Sequence, residues 1–250
     1  MKNIALICCV VLSALCTLYS QNTRQFNFQI SPGTSWFTTD DHLINSNGGQ
    51  VNARITAKLE KPLIGNLFYT KGISLAFGQG GTLRHEIGGN LLPESTFADP
   101  ALNQGDKPFT DGTDIGYKLR MLEIPLSLKY KLPSTGYSTY YIEGPIITTQ
   151  VKLGAKGDVD NAVMELVDQN VGPDVHLLNF TWGFGGGIEY NINPDFSLLA
   201  GISFHRSLFD QLKNNGTKVI TSPEGEIESI SKENSKAKMN SIQLSFGVVF

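Results

Sequence analysis

Apolar residues and small or polar residues alternate with a period of two along most of this chain. At the C-terminal end, Ile242, Leu244, Phe246, Val248 and Phe250 alternate with Ser241, Gln243, Ser245, Gly247 and Val249. The preceding stretch sets Phe196, Leu198, Ala200, Ile202 and Phe204 against Ser197, Leu199, Gly201, Ser203 and His205. Before that, Leu178, Phe180, Trp182, Phe184, Ile188 and Tyr190 face away from Asn179, Thr181, Gly183, Gly185, Gly187 and Glu189. A period of two sends successive side chains to opposite faces of a strand, so each strand meets two environments. Five further strands are predicted near 24–38, 50–61, 67–84, 115–131 and 137–154, giving eight. In the second strand, Val51, Ala53, Ile55, Ala57 and Leu59 alternate with Asn52, Arg54, Thr56, Lys58 and Glu60. Near 137–154, Tyr140, Ile142, Gly144 and Ile146 oppose Tyr141, Glu143 and Pro145.

The connections alternate in length. Short ones with turn chemistry fall at 61–66, 133–136 and 191–195. Long ones near 39–49, 85–114, 155–176 and 211–236, rich in Gly, Asn, Asp, Glu, Lys and Pro, read as mobile loops. Short turns at one end and long loops at the other predict an all-β fold. It is an eight-stranded antiparallel up-and-down transmembrane β-barrel with short periplasmic turns and long extracellular loops. Alternation alone also fits a soluble barrel with its apolar face inward. Three features favour lipid outside: a polar face crowded with Gly and Ser, aromatic residues near strand ends, and a final strand finishing on Phe250. The aromatic positions form two groups, Tyr130, Tyr137, Tyr190, Phe196 and Phe250 by the turns, and Trp36, Phe37, Tyr117, Phe180 and Phe204 by the loops.

At eight strands a barrel interior is just wide enough for side chains to fill it. Arg54, Lys58, Glu60, Glu123, Lys129, Glu143 and Glu189 all fall on the predicted inward face. Both signs are present, which predicts a paired lumenal network and no wide water channel. A general porin needs about twice as many strands.

The first residues read as a targeting segment. Lys2 is followed by an apolar run from Ile4 to Leu15, and cleavage is expected after Ser20. That leaves a signal peptide at 1–20 and one barrel domain at 21–250, exported to the bacterial outer membrane. Cys8, Cys9 and Cys16 all lie in the signal, so the mature chain would hold no disulfide, thiolate metal site or thiol nucleophile. Net charge is −3, which shows no nucleic-acid footprint. No later stretch reaches the ~18 apolar residues of a membrane helix.

The segment Met121-Leu122-Glu123-Ile124-Pro125-Leu126-Ser127-Leu128-Lys129-Tyr130 resembles a middle strand of the PorT-like outer-membrane β-barrel family common in Bacteroidetes. Gly185-Gly186-Gly187-Ile188-Glu189-Tyr190 and the terminal aromatic are similar to features of the same family. The resemblance implies a barrel with no catalytic residues to carry over, linked in some relatives to a secretion apparatus. It also implies that Phe246, Val248 and Phe250 belong to the signal read by the barrel assembly machinery.

Other candidate chemistry is thin. His42, His85 and His176 lie in or beside loops, and Asp40-Asp41-His42 lacks metal-ligand spacing. His205 beside Ser203 and Ser207 is the one suggestive cluster for a hydrolase, with lumen filling the blander reading. Gly183-Phe184-Gly185-Gly186-Gly187 superficially matches a phosphate loop but sits inside a strand pattern. Glu123 and Glu143 are candidates for an acid pair or for neutralisation by Arg54, Lys58 or Lys129. No catalytic, metal or cofactor site is assigned, and the chain is not expected to be an enzyme. Two classes stay open: a scaffold that contacts a partner through its long loops, or a narrow pore or enzyme of lipid acyl chemistry.

Overall fold

The computed structural model describes residues 25–97, 100–103, 108–222, 226–233 and 235–250. The expected signal segment at 1–20, with its cysteines, lies outside the described residues.

Eight long strands form a closed antiparallel ring. They are β1 (Gln25–Thr38), β2 (Ile44–Ile64), β3 (Leu67–His85), β5 (Thr113–Lys131), β6 (Ser138–Asp160), β8 (Leu178–Asn193), β9 (Phe196–Ser207) and β12 (Lys238–Val249). Four short strands, β4 (Gly89–Asn90), β7 (Glu165–Asn170), β10 (Thr217–Thr221) and β11 (Ile227–Lys232), fall between them in the chain. Each long strand pairs with its sequence neighbours, and β1 meets β12 with Asn27 opposite Val249 and Thr38 opposite Lys238. The seam continues to Phe250. Its backbone exchanges hydrogen bonds of 2.6 and 2.8 Å with Phe26, and the two rings stand 5.3 Å apart. A closed ring leaves no row of unpaired N–H and C=O groups, which is the requirement for crossing hydrocarbon.

At one end the connections are 65–66, 132–137 and 194–195. Gly65 takes φ +53 in the first of these, a left-handed conformation that favours glycine. At the other end they are 39–43, 86–112, 161–177 and 208–237. The expected long loop at 39–49 is thus a five-residue connection, because β2 already begins at Ile44.

The predicted faces hold, with three phase changes at bulges, one of them at Leu153 on β6. In β3, Gly78 at φ +72 is an extra residue in the pairing with β5. The bulge turns Gln79 inward after Phe77 has pointed outward. In β6, Gly144 and Pro145 are both exposed at a register shift, and Ile146 beyond them is buried. The alternation that grouped Ile146 with Tyr140 and Ile142 is therefore broken by a bulge.

Strand length is uneven around the ring. β2, β3, β5 and β6 run to 21, 19, 19 and 23 residues, whereas β9 and β12 have 12 each. About 9–11 tilted residues cross a bilayer. Four adjacent strands therefore project well beyond any membrane, all at the long-loop end.

Candidate functional site

The exterior of the barrel carries a belt of large apolar side chains open to the surroundings, among them Ile30, Ile73, Ile142, Ile202 and Phe246. The limit of this belt can be read on β5. Leu122, Ile124, Leu126 and Leu128 point outward while Glu123, Ser127 and Lys129 point inward. One step further the arrangement inverts. Arg120, Lys118 and Asp114 lie outside, and Met121, Leu119, Tyr117 and Ile115 are buried inside. Apolar outside with charge inside suits lipid, and the reverse suits water. Together with the closed ring, that is the layout of an outer-membrane barrel.

Inside the belt the predicted charged residues converge. Arg54 grips Glu123 with two nitrogens, at 2.6 and 3.2 Å. Lys58 donates to Glu143 at 2.7 Å, and Ser127 and Thr70 donate to the same carboxylate. Lys129 bridges Glu60, at 2.6 Å, and Glu189, with its ammonium also 4.2 Å from the centre of the Tyr141 ring. Lys131 contacts the outer oxygens of the same two carboxylates at 3.1 and 2.8 Å. Glu123 and Glu143 therefore do not form an acid pair, because each is held by its own cation. Four cations and four carboxylates are buried together. Such groups are tolerated in a low-dielectric interior only when paired and hydrogen-bonded.

Sequence reasoning missed several members. Lys131 lies two residues beyond Lys129 on the same face, a signal that was available. Gln79 and Gln150 donate to Glu123 at 3.1 and 2.7 Å. Gln79 was hidden by the bulge at Gly78. His205 also joins, its Nε2 lying 3.2 Å from an Arg54 nitrogen and 3.1 Å from the Ser203 hydroxyl. Lumen filling accounts for the cluster of His205 and Ser203. The inward glycines leave space for Tyr141: a Cβ at Gly187 would stand 2.7 Å from its hydroxyl. A cavity of only about 40 Å³ remains among Arg54, Lys58, Glu123, Glu143 and His205, room for one or two waters.

Above the belt the interior is of another kind. Phe37, Ile44, Leu83, Phe109, Ile115, Tyr117, Leu119, Val171, Val175 and Met239 belong to one apolar core. Segments expected to be mobile loops supply much of it, so that expectation is corrected. Leu91, Leu92, Phe97, Phe109, Val171, Val175 and Leu212 were the unread signal. Phe37 and Tyr117, assigned by sequence to the loop-side aromatic group, are buried here, with rings 5.7 Å apart and edge to face.

Hydrogen bonds tie these segments to one another. β4, β10 and β11 form a small sheet. The amide of His176 donates to Gln211, and that of Gln211 to Ala237, at 3.0 and 2.9 Å. Asp174 accepts from the Glu94 amide at 3.1 Å and from the Ser95 hydroxyl. Glu94 in turn binds Lys213 and Asn215, each at 2.6 Å. Burial pushes the carboxyls of Asp174 and Glu233 above their usual range. Burial also pushes Asp41 up, but a hydrogen bond and charge from Lys218, with the Leu43 amide, carry it below its usual value. His85 is buried with neither ring nitrogen hydrogen-bonded. That burial, aided by the nearby Lys218, lowers it to about 4. His42 and His176 are exposed. Among the described residues no group of three or more His, Cys, Asp or Glu side chains is placed to hold a metal ion.

No family model matches the chain, and no curated protein matches it. Solved structures similar in fold include outer-membrane and surface proteins. Neisserial surface protein A aligns over 90% of this chain and 95% of its own, with TM-score 0.36 and 14% identity. Ail, the attachment invasion locus protein of Yersinia pestis, aligns over 92% and 100%, with TM-score 0.34 and 12% identity. The outer membrane enzyme PagL aligns over 88% and 97%, with TM-score 0.38 and 12% identity. At such identities no activity transfers from any of them.

Proposed function

We propose that this protein is a plugged outer-membrane scaffold whose work is done by the folded head above the membrane. One observation carries the reading: the bore is filled twice, by the paired network of Arg54, Lys58, Glu60, Glu123, Lys129, Glu143 and Glu189 and then by the apolar head core. A barrel built to pass solute would leave a continuous polar path. This one spends long strands and four loop segments on a rigid extracellular platform, which suits a protein partner. The PorT-like resemblance of the middle strand suggests a secretion assembly as that partner. It also suggests that Phe246, Val248 and Phe250 are read by the barrel assembly machinery. No catalytic role is proposed: His205 Nδ1, where a catalytic carboxylate would be needed, has no hydrogen-bond partner, and a guanidinium crowds the Nε2 that faces Ser203.

The test has two parts. Crosslinking in intact cells from cysteines placed in 86–112 and 208–237 should capture a partner, and exchanging those segments should abolish capture with the barrel still folded. Steady single-channel conductance in planar bilayers, or lipid turnover by the purified chain, would overturn the scaffold reading in favour of a pore or an acyl-chemistry enzyme.

A further inference from the structure

The outward row of β8 is interrupted at Gly186. Phe180, Trp182 and Phe184 precede it and Ile188 and Tyr190 follow, so bare backbone stands where the belt otherwise carries a large side chain. Across the sheet Gly186 faces Ile142 on β6 and Ile202 on β9. The outcome is an outward-opening apolar groove of about 240 Å³, walled by Phe184, Ile202, Phe204 and Ile242. Its upper wall is an aromatic cluster in which the Phe184 and Phe204 rings are 5.8 Å apart, with Trp182 at 6.2 and 6.4 Å from them.

A charge stands over this groove. On β9 the outward row runs Ile202, Phe204, Arg206, and Arg206 lies opposite Trp182 on β8 and Asn240 on β12. Arg206 is exposed and makes no ion pair among the described residues. Four residues separate it from Ile202, about 13 Å of strand at about 3.3 Å per residue. A strand tilt of roughly 40° turns that into about 10 Å of depth. Half the hydrocarbon core is about 15 Å. A headgroup held at Arg206 therefore delivers the middle of its own acyl chain to the groove.

We propose that this row is a fixed site for an anionic phospholipid, its phosphate on Arg206 and one acyl chain seated over Gly186. The inference rests on reading the belt as lipid-facing. Lipid tails are as apolar as leucine, so apolarity alone gives no preference for this groove over the rest of the belt. Preference comes from shape, which the stiff rings supply, and from a guanidinium whose paired donors match phosphate oxygens. A second copy of the chain fits less well. Two barrels meeting through the same patch in one membrane would bring their Arg206 side chains together at one height.

The chain has two tryptophans. A Trp36→Phe form leaves Trp182, beside the groove, as the fluorescent reporter. The full chain is folded into phosphatidylcholine vesicles that contain phosphatidylglycerol brominated on its acyl chains. Brominated phosphatidylglycerol should quench Trp182 several-fold more than brominated phosphatidylcholine at the same mole fraction. Arg206→Gln should make the two lipids equal. Ile242→Phe, which fills the groove, should weaken the phosphatidylglycerol effect with Arg206 in place. Equal quenching by the two lipids in the Arg206 form overturns the proposal. So does efficient disulfide formation between copies through Ile242→Cys, which assigns the groove to a second barrel. Quenching by neither lipid sinks the lipid-facing reading itself, and the site with it.

Discussion

Within one ring of strands lie two interiors of opposite kind, and β5 passes through both. Its inward residues are Lys129, Ser127 and Glu123 in the belt, then Met121, Leu119, Tyr117 and Ile115 in the head. Its outward residues change the other way, from Leu128, Leu126, Ile124 and Leu122 to Arg120 and Lys118. What the outside is made of thus dictates what the inside must be. In the belt, lipid takes the apolar side chains and leaves the polar ones to satisfy each other in the bore. In the head, water takes the polar side chains and the apolar ones collapse inward, as in any soluble domain.

The two interiors should respond differently to the loss of one residue. Lys129→Met removes the cation between Glu60 and Glu189 and leaves Lys131 as their one neutraliser. Breaking a buried pair in this way costs about 3–5 kcal/mol. The temperature at which the folded band converts to the unfolded one on a denaturing gel should fall. Replacing Lys58 and Glu143 together by Met and Leu should cost less than removing Lys58 alone, because no charge is stranded.

In the head, Phe109→Ala leaves a cavity in a packed core, at about 3–5 kcal/mol. Its effect should stay local. Protease cleavage within 86–112 should rise, with the gel conversion temperature of the barrel unchanged. Loss of heat-modifiable migration in this variant would show that head and barrel fold as one unit, which removes the contrast.

The head should also answer to pH. Above pH 6.5 His85 is neutral whether the head is closed or open. Between 6.5 and about 4 the opened head binds the proton and the closed head does not. Acidification across that window therefore favours opening, by up to roughly 3 kcal/mol. Asp174 and Glu233 oppose the trend: with raised values they take up protons first in the closed head. Hydrogen exchange at the amides of Phe109 and Val175, corrected for intrinsic rate, should quicken on going from neutral to mildly acidic buffer. His85→Leu should remove that component.

The smallest effect is expected on the water side of the wall. Lys156 and Asp168 form an exposed pair at 2.8 Å, and Lys156→Ala should leave head stability nearly unchanged, since water screens such a pair. A larger loss would mean that β7 helps to hold the head closed.

The sequence by itself determined the eight strands of the ring, its closure and the side to which each of the seven named lumenal charges points. Those follow from a period of two, which any strand obeys and which needs no knowledge of its neighbours. It failed at Ile146 and passed over Gln79, where one extra residue reverses every later side chain and leaves little mark on composition. It failed again in the head, whose apolar residues are spread over segments with no period to reveal them. Only the tertiary structure decided which carboxylate each cation meets, since Arg54 and Glu123, or Lys129 and Glu189, share no spacing along the chain. Only the register of β8, β9 and β12 brings Gly186, Ile202 and Ile242 to one groove with Arg206 above it. Alternation is a local property of the backbone. Pairing, packing and grooves belong to the closed ring.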